Sequence, residues 1–473
     1  MSVRDAVHRL APACVVLAGL ALAPPATARA APISPPAVTR AKLKNGLTVL
    51  IAPNHRLPVI SMRLVEHAGS ALDPPGREGL SSLTADLMTL GAGARGAREL
   101  ADDIAFVGGS LEASAGAEQL VVTCEVLTRN LSTGLELFHD VIVLPTFPPQ
   151  EFARVRSEAL ASIASDRDDP STVADNGELP FAFGSSALGH PVVGWEKSVT
   201  GITREDVAAF HAAHVTPANA LLAVVGDVDP VALLADLQKR FSDWKPPASA
   251  APAPAIAPTP ASAGREAGAG REVRILDKPE VTQTQIRMVS MGVARNHPDY
   301  YPIMVANTIL GAGFTSRLVN AIRVEQGLTY GIDSEFRMYR DAGTFGVSTF
   351  TRNATLRRTI DETLRVIRAL IDDGPTADEL EKAKRYLNGQ YPLALQAPGA
   401  LARALLDIEF YGLDPATLQN HDAKVSAVTL DDTRRVLRSY FDVDHLKILV
   451  VSNPDSARAA LNGLGPIEVL EVP

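Results

Sequence analysis

The stretch that decides the fold is Gly311-Ala-Gly-Phe-Thr-Ser-Arg-Leu-Val-Asn-Ala-Ile-Arg-Val-Glu-Gln-Gly-Leu-Thr-Tyr330. Thr315 or Ser316 can cap a short helix at its start, and Gly327 can adopt the left-handed conformation that ends one. The apolar positions between them fall on one helical face, which consists of Leu318, Val319 and Ile322. We therefore predict a helix that stops just past Arg323, followed by a strand that starts in residues 328–334.

Arg323 and Tyr330 flank the predicted turn, so a guanidinium at a helix end and a phenol on the next strand could converge. A fork of N–H groups and an O–H can hold a peptide carbonyl and stabilise the oxyanion that it becomes, but the two residues supply no nucleophile. On spacing alone, a surface arginine and a half-buried tyrosine with only structural roles are the commoner case.

This stretch resembles the C-terminal half-motif of the pitrilysin/insulinase-like zinc metallopeptidases. The matching residues are Gly313-Phe-Thr-Ser-Arg-Leu318, Arg323 and Gly327-Leu-Thr-Tyr330. In that family an arginine and a tyrosine seven residues apart face the zinc site of another domain or subunit and bind the substrate carbonyl. The resemblance therefore implies that Arg323 and Tyr330 contact a substrate carbonyl in trans.

The first half of the chain resembles the frame of the same family's zinc motif without its ligands. The family carries H-x-x-E-H on a helix, in which two histidines bind zinc and the glutamate activates water, and a glutamate on a later helix completes the site. The framing residues here are Gly69-Ser70, Gly79–Met88 and Gly91, with Asp168-Asp-Pro170 further on. The ligand and base positions hold Ser82, Ala85, Asp86 and, by counting back from Asp168, about Ser162. Because these side chains offer no imidazole, we expect no zinc and no unaided peptidase activity in this chain.

The second half of the chain repeats the first at a shift of 226 residues. Thr203-Arg-Glu-Asp-Val-Ala-Ala-Phe210 corresponds to Thr429-Leu-Asp-Asp-Thr-Arg-Arg-Val436, and the match continues without a gap to Leu222-Ala-Val-Val225 and Ile448-Leu-Val-Val451. A repeat of this length indicates duplication of a whole domain. The chain of 473 residues is also too long for one compact core.

Hydrophobic patterns predict a mixture of strands and helices, that is, an α+β protein. The predicted strands are 43–51, 58–65, 119–127 and 220–225, and the predicted helices are 77–90, 97–107, 131–143, 149–166 and 203–214. Together with the resemblance, they predict two homologous α/β-sandwich domains of the mitochondrial processing peptidase-like type in a clamshell arrangement. The predicted boundaries are a signal peptide at 1–30, an N-terminal arm at 31–42, an N-terminal domain at 43–244 with the degenerate zinc site, a Pro/Ala/Gly-rich linker at 245–271 and a C-terminal domain at 272–473 with the Arg/Tyr pair.

The first 30 residues have the pattern of an export signal. Arg4 and Arg9 precede an apolar run that is too short to span a bilayer, and Ala28-Arg-Ala30 supplies small residues for cleavage. We predict a periplasmic or otherwise exported protein that is soluble after cleavage and has no membrane span. Cleavage would remove three arginines and one aspartate, which changes the formal charge from −9 to −11 and disfavours a nucleic-acid partner. Of two cysteines, only Cys124 would remain, and we expect it to be buried.

Other histidines offer weaker metal candidates. His211 and His214 lie three residues apart on a predicted helix, but their surroundings favour packing roles. Glu66 and His67 are adjacent on a strand, so their side chains point to opposite faces. His190 is predicted to be a hydrogen-bonded loop residue.

Three hypotheses of function remain open. The leading one is the non-catalytic subunit of an exported heterodimeric zinc metalloendopeptidase, whose homologous partner carries H-x-x-E-H and zinc and shares a peptide substrate with this chain. A structural or assembly subunit would make no use of Arg323 and Tyr330. A peptide-binding clamshell that acts alone would bind peptides without zinc.

Overall fold

The computed structural model describes residues 37–245 and 271–472. The predicted signal peptide, most of the predicted arm and nearly all of the predicted linker lie outside the described residues. Within them, no helix combines the length and apolar character that a membrane span requires.

Two six-stranded sheets form the centre of the described structure. The strands are β1 (Thr39–Lys42), β2 (Thr48–Pro53), β3 (Val59–Glu66), β4 (Gly91–Ala92), β5 (Arg95–Gly96), β6 (Ser110–Ala115), β7 (Leu120–Leu127), β8 (Ala220–Gly226), β9 (Val273–Asp277), β10 (Gln283–Met291), β11 (Ile332–Met338), β12 (Gly343–Arg352), β13 (Lys447–Ser452) and β14 (Ile467–Glu471). The N-terminal sheet has the order β1-β2-β8-β3-β7-β6, and the C-terminal sheet has the order β14-β9-β13-β10-β12-β11. Apart from their outermost strands β1 and β14, the two sheets therefore follow the same order along the chain.

Helices connect and cover these strands. They are α1 (Leu80–Met88), α2 (Ala97–Phe106), α3 (Leu131–Val143), α4 (Pro149–Asp166), α5 (Pro170–Phe183), α6 (Glu196–Gly201), α7 (Arg204–His214), α8 (Pro230–Arg240), α9 (Tyr300–Asn307), α10 (Leu356–Asp373), α11 (Ala377–Ala394), α12 (Pro398–Phe410), α13 (Thr417–Ala427), α14 (Leu430–Tyr440) and α15 (Pro454–Leu461). Two π-helical segments, Thr308–Ala312 and Val319–Glu325, lie between α9 and β11. The mixture of helices and sheets is the predicted α+β class.

The repeat seen in the sequence is present in the structure. Helices α7 and α14 have equal lengths, and each begins at a threonine, Thr203 or Thr429, whose side chain accepts a hydrogen bond from the aspartate N–H three residues on. Helices α4 and α11 also match, with 18 residues each. The shared capping box explains why the sequence repeat is strongest here, because helix starts depend on particular side chains.

Each half has its own core, but the halves exchange one helix. Helix α5 of the N-terminal half packs on β10 and β13, and α12 of the C-terminal half packs on β3 and β8. Gly177 of α5 permits this approach, since a side chain there would meet leucines of the C-terminal sheet within 3.0 Å. Two ion pairs, each with one buried member, support the exchange: Nε of the buried Arg287 lies 2.8 Å from Asp175, and Arg337 lies 2.8 Å from the buried Glu178. The described residues, 37–245 and 271–472, consequently belong to one compact unit.

Some predicted boundaries differ from the structure: the predicted helix 77–90 is the shorter α1 (Leu80–Met88), and the predicted strand 43–51 is β2 (Thr48–Pro53). Residues 39–42, assigned to the arm, form β1 and pair antiparallel with β2, because strand pairing needs backbone partners rather than an apolar pattern. The helix around Arg323 ends at Glu325, just past Arg323 as predicted, and its turn closes through a 3.0 Å hydrogen bond from the N–H of Leu328 to the carbonyl of Ile322. Strand β11 starts at Ile332, within the predicted residues 328–334, and Thr329 Oγ1 bonds with the backbone of Gly331 in a local turn just before it.

Candidate functional site

Helix α1, which carries the predicted positions Ser82, Ala85 and Asp86, is anchored at its start by a carboxylate. The carboxylate of Asp73 accepts hydrogen bonds from the N–H groups of Gly79 and Ser81, at 2.7 and 2.8 Å, and thereby caps the start of α1. Burial raises the pKa of Asp73 to about 6. Gly79 has a φ of +99°, and the nearby backbone leaves no room for a side chain at this position or at Gly194. The framing glycines in the sequence therefore fix where α1 begins.

Three of the four degenerate zinc-site positions meet in one cavity. Ser82 and Asp86 on α1 and Ser162 on α4 line a cavity of about 510 Å³, which we call the N-terminal cavity. Ala85 is fully buried in the core and does not line it. Edge strand β6 contributes Leu111, Glu112 and Ala113 to the wall.

The N-terminal cavity does not fit zinc. Its family positions present two hydroxyls and one carboxylate, whereas tetrahedral zinc prefers imidazole, thiolate and carboxylate ligands. Glu158, which also lines the cavity, is paired with Arg154 at 2.8 Å. In the part of the chain that the structure describes, no three histidine, cysteine, aspartate or glutamate residues are placed to hold a metal ion together. Burial raises the pKa of Asp86, which further weakens this carboxyl as a ligand at acidic pH.

The Arg/Tyr pair forms an exposed cluster with Phe314. The guanidinium carbon Cζ of Arg323 lies 5.1 Å from the ring centre of Tyr330 and 5.5 Å from that of Phe314. Both rings project into solvent, with 78% of Tyr330 and 77% of Phe314 exposed. Cation–π contact with the two rings therefore positions the guanidinium. Among the described residues no carboxylate pairs with Arg323, so its N–H groups are available to an acceptor from outside.

The structure thus brings some predicted site residues together and leaves others apart. Arg323 and Tyr330 converge as predicted, beside the start of edge strand β11. Ser82, Asp86 and Ser162 converge in the other half, and within the described residues no hydrogen bond, ion pair or ring contact joins them to the Arg/Tyr pair.

The other histidines and Cys124 have structural roles. The ring of His211 bonds to the carbonyl of Ile142 at 2.9 Å, and burial lowers its pKa to about 4. His214 packs against Phe210, with ring centres 4.6 Å apart. Burial raises the pKa of the Cys124 thiol to about 12, so this side chain is unreactive. The predicted packing roles of His211 and His214 and the predicted burial of Cys124 are confirmed.

Sequence reasoning missed Phe314 and β6. Phe314 lies inside the quoted stretch, between Gly313 and the polar residues Thr315 and Ser316. This position of an aromatic residue in a turn was the signal that could have predicted an exposed ring. Strand β6 has the sequence Ser-Leu-Glu-Ala-Ser-Ala, and its half-buried positions Leu111, Ala113 and Ala115 form only a weak apolar face, which packs on the N-terminal core. Its outer edge, away from β7, is the end of the N-terminal sheet.

The duplicated sheets, the exchanged helices and a frame for a metal motif define a two-domain protein with a peptidase-like fold. The model of the insulinase peptidase family, M16, matches residues 48–191, and the model of the peptidase M16 inactive domain matches residues 201–387. The chain belongs to the M16 family of pitrilysin/insulinase-like metallopeptidases.

Relatives and solved structures agree with this assignment. The chain is 27% identical to an uncharacterized zinc protease of Streptomyces coelicolor over 85% of this chain and 86% of that protein. It is 22% identical to one of Bacillus subtilis over 87% and 98% of the two chains. A crystal structure of a peptidase M16 inactive domain from Pseudomonas fluorescens superposes with a TM-score of 0.80 at 26% identity, over 88% of this chain and 98% of that one. A protease from Helicobacter pylori shares the fold, with a TM-score of 0.79 at 20% identity, over 89% of this chain and all of that one.

Proposed function

We propose that this chain is the non-catalytic subunit of an exported heterodimeric zinc metalloendopeptidase. Its Arg323 and Tyr330 would bind the carbonyl of a peptide that lies between the two subunits. The observation that carries this proposal is the guanidinium of Arg323, which has no carboxylate partner in the described part of the chain and lies beside two exposed aromatic rings. Export is proposed from the signal-like pattern of residues 1–30.

The chemistry of the pair suits the binding of a carbonyl that becomes negatively charged. Zinc bound by the partner would supply the activated water, because the donors in the N-terminal cavity of this chain do not fit the metal. The guanidinium of Arg323 donates N–H bonds and the phenol of Tyr330 donates an O–H bond, and both become stronger as the carbonyl oxygen gains charge. The pair would therefore contribute more to the transition state than to substrate binding.

The surroundings of the pair favour a partner surface at this place. Phe314 and Tyr330 flank the guanidinium of Arg323 and are largely exposed, and Val324, the next residue in the chain, is 69% exposed. Exposed apolar groups of this kind commonly mark interaction sites. A partner that covers them would also exclude water from the carbonyl, which strengthens the charged hydrogen bonds.

The test uses this chain mixed with a homologous exported peptidase that has an intact H-x-x-E-H. We expect Arg323→Ala and Tyr330→Phe each to lower kcat for peptide hydrolysis by about 10²–10³-fold, with a smaller change in KM. Because Tyr330 is mostly exposed, loss of its hydroxyl should leave the fold and the heterodimer intact, which size-exclusion chromatography checks.

The matched control is Arg385→Ala, which removes an exposed arginine from α11 without touching the pair. It should leave kcat unchanged. Unchanged activity in the double variant Arg323→Ala/Tyr330→Phe would refute the role of the pair. Peptide hydrolysis by this chain alone, with bound zinc, would refute the assignment as a non-catalytic subunit.

A further inference from the structure

A second cavity occupies the place in the C-terminal half that corresponds to the N-terminal cavity. It has a volume of about 420 Å³ and lies between α9, α11, α12 and β11; we call it the C-terminal cavity. In the repeat, α9, α11 and β11 take the places of α1, α4 and β6. Gln119, from the turn between β6 and β7, closes one side, so the cavity is built from both halves. Its volume lies within the range of roughly 300–1,000 Å³ that is usual for small-ligand sites.

The C-terminal cavity carries an excess of positive charge. Arg295 and Arg403 line it together with Asp407. Arg63, on β3 beneath α12, lies close enough to interact electrostatically with Arg403 and Asp407. Within the described residues, none of the three guanidinium groups forms an ion pair with a carboxylate, and the Nε of Arg63 is buried without a hydrogen-bond partner. Buried guanidinium nitrogens normally have acceptors, so the Nε of Arg63 is the group of the cluster that lacks one, while the half-buried Arg295 and the exposed Arg403 have N–H groups that can turn to an anion.

The single carboxylate does not neutralise the cluster. Burial raises the pKa of Asp407, and the neighbouring Arg403, Arg295 and Arg63 act in the opposite direction. Asp407 has no hydrogen-bond donor among the described side chains, so its oxygens are also open to a ligand. The cavity therefore offers both donors for an anion and one acceptor for an N–H group.

Aromatic side chains supply the remaining wall. The guanidinium carbon of Arg295 lies 3.9 Å from the ring centre of Tyr300, which holds the arginine in place. Phe336, Met304 and Tyr411 add apolar surface around the charged groups. Such a wall suits an apolar side chain next to the anion.

We propose that the C-terminal cavity binds the free carboxyl end of a short peptide. A peptide terminus presents a carboxylate, an adjacent backbone N–H and a side chain, which match the arginines, Asp407 and the aromatic wall. An inorganic anion would use only the arginines and would leave Asp407 and the aromatic wall without partners. The choice of a peptide rests on membership of a peptidase family, and the site shares no residue with the Arg/Tyr pair.

The experiment measures binding to the isolated chain, without a partner subunit. Isothermal titration is performed with the tripeptide Ala-Ala-Phe and with its C-terminal amide at one ionic strength. We expect the free acid to bind and the amide to bind at least about tenfold more weakly, because the amide cannot form the two parallel bonds that a carboxylate makes with arginine. Arg403→Gln should weaken binding of the acid by about tenfold or more, and Arg403→Lys should restore only part of it.

Arg385→Gln is the control, since it removes the same charge from neighbouring helix α11 outside the cavity. Arg403 is exposed, so its replacement should not unfold the protein, and thermal unfolding verifies this. The proposal is overturned if acid and amide bind equally, if Arg385→Gln weakens binding as much as Arg403→Gln, or if inorganic phosphate displaces the peptide at comparable concentration. Failure here would leave the proposed function intact, because that function is tested by kcat with the partner present.

Discussion

Glu118 makes the stability of the contact between the halves depend on pH. It lies in the turn between β6 and β7, is only 9% exposed, and accepts hydrogen bonds from the N–H of Arg340 at 3.0 and 3.1 Å. Burial raises the pKa of this carboxyl to about 7, and the nearby Asp341 acts in the same direction. The perturbation that we consider is Glu118→Gln, which keeps the acceptor oxygen and removes the titration.

The sign and size of the effect follow from proton linkage. The pKa of Glu118 is higher in the folded state, about 7, than the ordinary value of 4.5, so the folded protein binds the proton more tightly. Its stabilising contribution is complete below pH 4.5 and is lost as the pH rises through 7. With about 1.4 kcal/mol for each pH unit, the contribution falls by about 2.5 kcal/mol between pH 5 and pH 8.

The assay is urea unfolding of the wild type and Glu118→Gln at pH 5, 6, 7 and 8. The difference between their free energies of unfolding should change by about 2.5 kcal/mol across this range, with the variant gaining relative stability at high pH. Glu112→Gln, at an exposed position on β6, is the control and should show no such trend. A difference that stays constant with pH would refute the reasoning.

Three further predictions concern the helix exchange, the cavity and the thiol. Gly177→Val should lower the free energy of unfolding by about 1–3 kcal/mol, measured with urea, because the new side chain would collide with the C-terminal sheet. The triple variant Ser82→His/Asp86→His/Ser162→Glu should bind zinc in equilibrium dialysis without hydrolysing peptides, since it restores ligands on the retained frame but not the general base. Failure of this variant to bind zinc would show that α1 and α4 do not hold the three positions at the spacing that zinc requires. Cys124 should react with a thiol reagent only in the unfolded protein, because it is buried in the folded one.

The sequence predicted the regular elements well wherever one face was strongly apolar. The predicted ranges of α3 and α4 match the structure, and α2 and β7 differ by one residue at one end. Helix α3 and strand β7 bury a broad apolar face in the N-terminal core, and α4 and α2 place their fewer buried and partly buried residues at helical spacing, so periodicity identifies all four. Thr203 and Thr429 cap the starts of α7 and α14, so the sequence also predicts where these two helices begin.

Other features depend on contacts that no local pattern reports. Strand β1 exists because β2 offers it backbone partners, and its sequence Thr-Arg-Ala-Lys has no apolar face. The Arg63, Arg403 and Asp407 cluster joins residues that are more than 300 positions apart, so only the packing of α12 on β3 reveals it. The Arg/Tyr pair was predictable because both members stand in one short motif, whereas the third member of its cluster, Phe314, carried no distinguishing spacing.

The helix exchange limits how a clamshell built from this chain can open. Helix α12 buries Leu401, Leu405, Leu406, Ile408 and Phe410 in one cluster with the N-terminal sheet. At about 1.5–3 kcal/mol for each large apolar side chain, separating the two halves would cost on the order of 10 kcal/mol before the ion pairs of α5 are counted. A motion of that cost is not populated during turnover, whereas an interface between two separate chains can open without exposing this cluster. Admission of a peptide to the Arg/Tyr pair therefore requires movement between this chain and its proposed partner, with the two halves of the chain moving as one body.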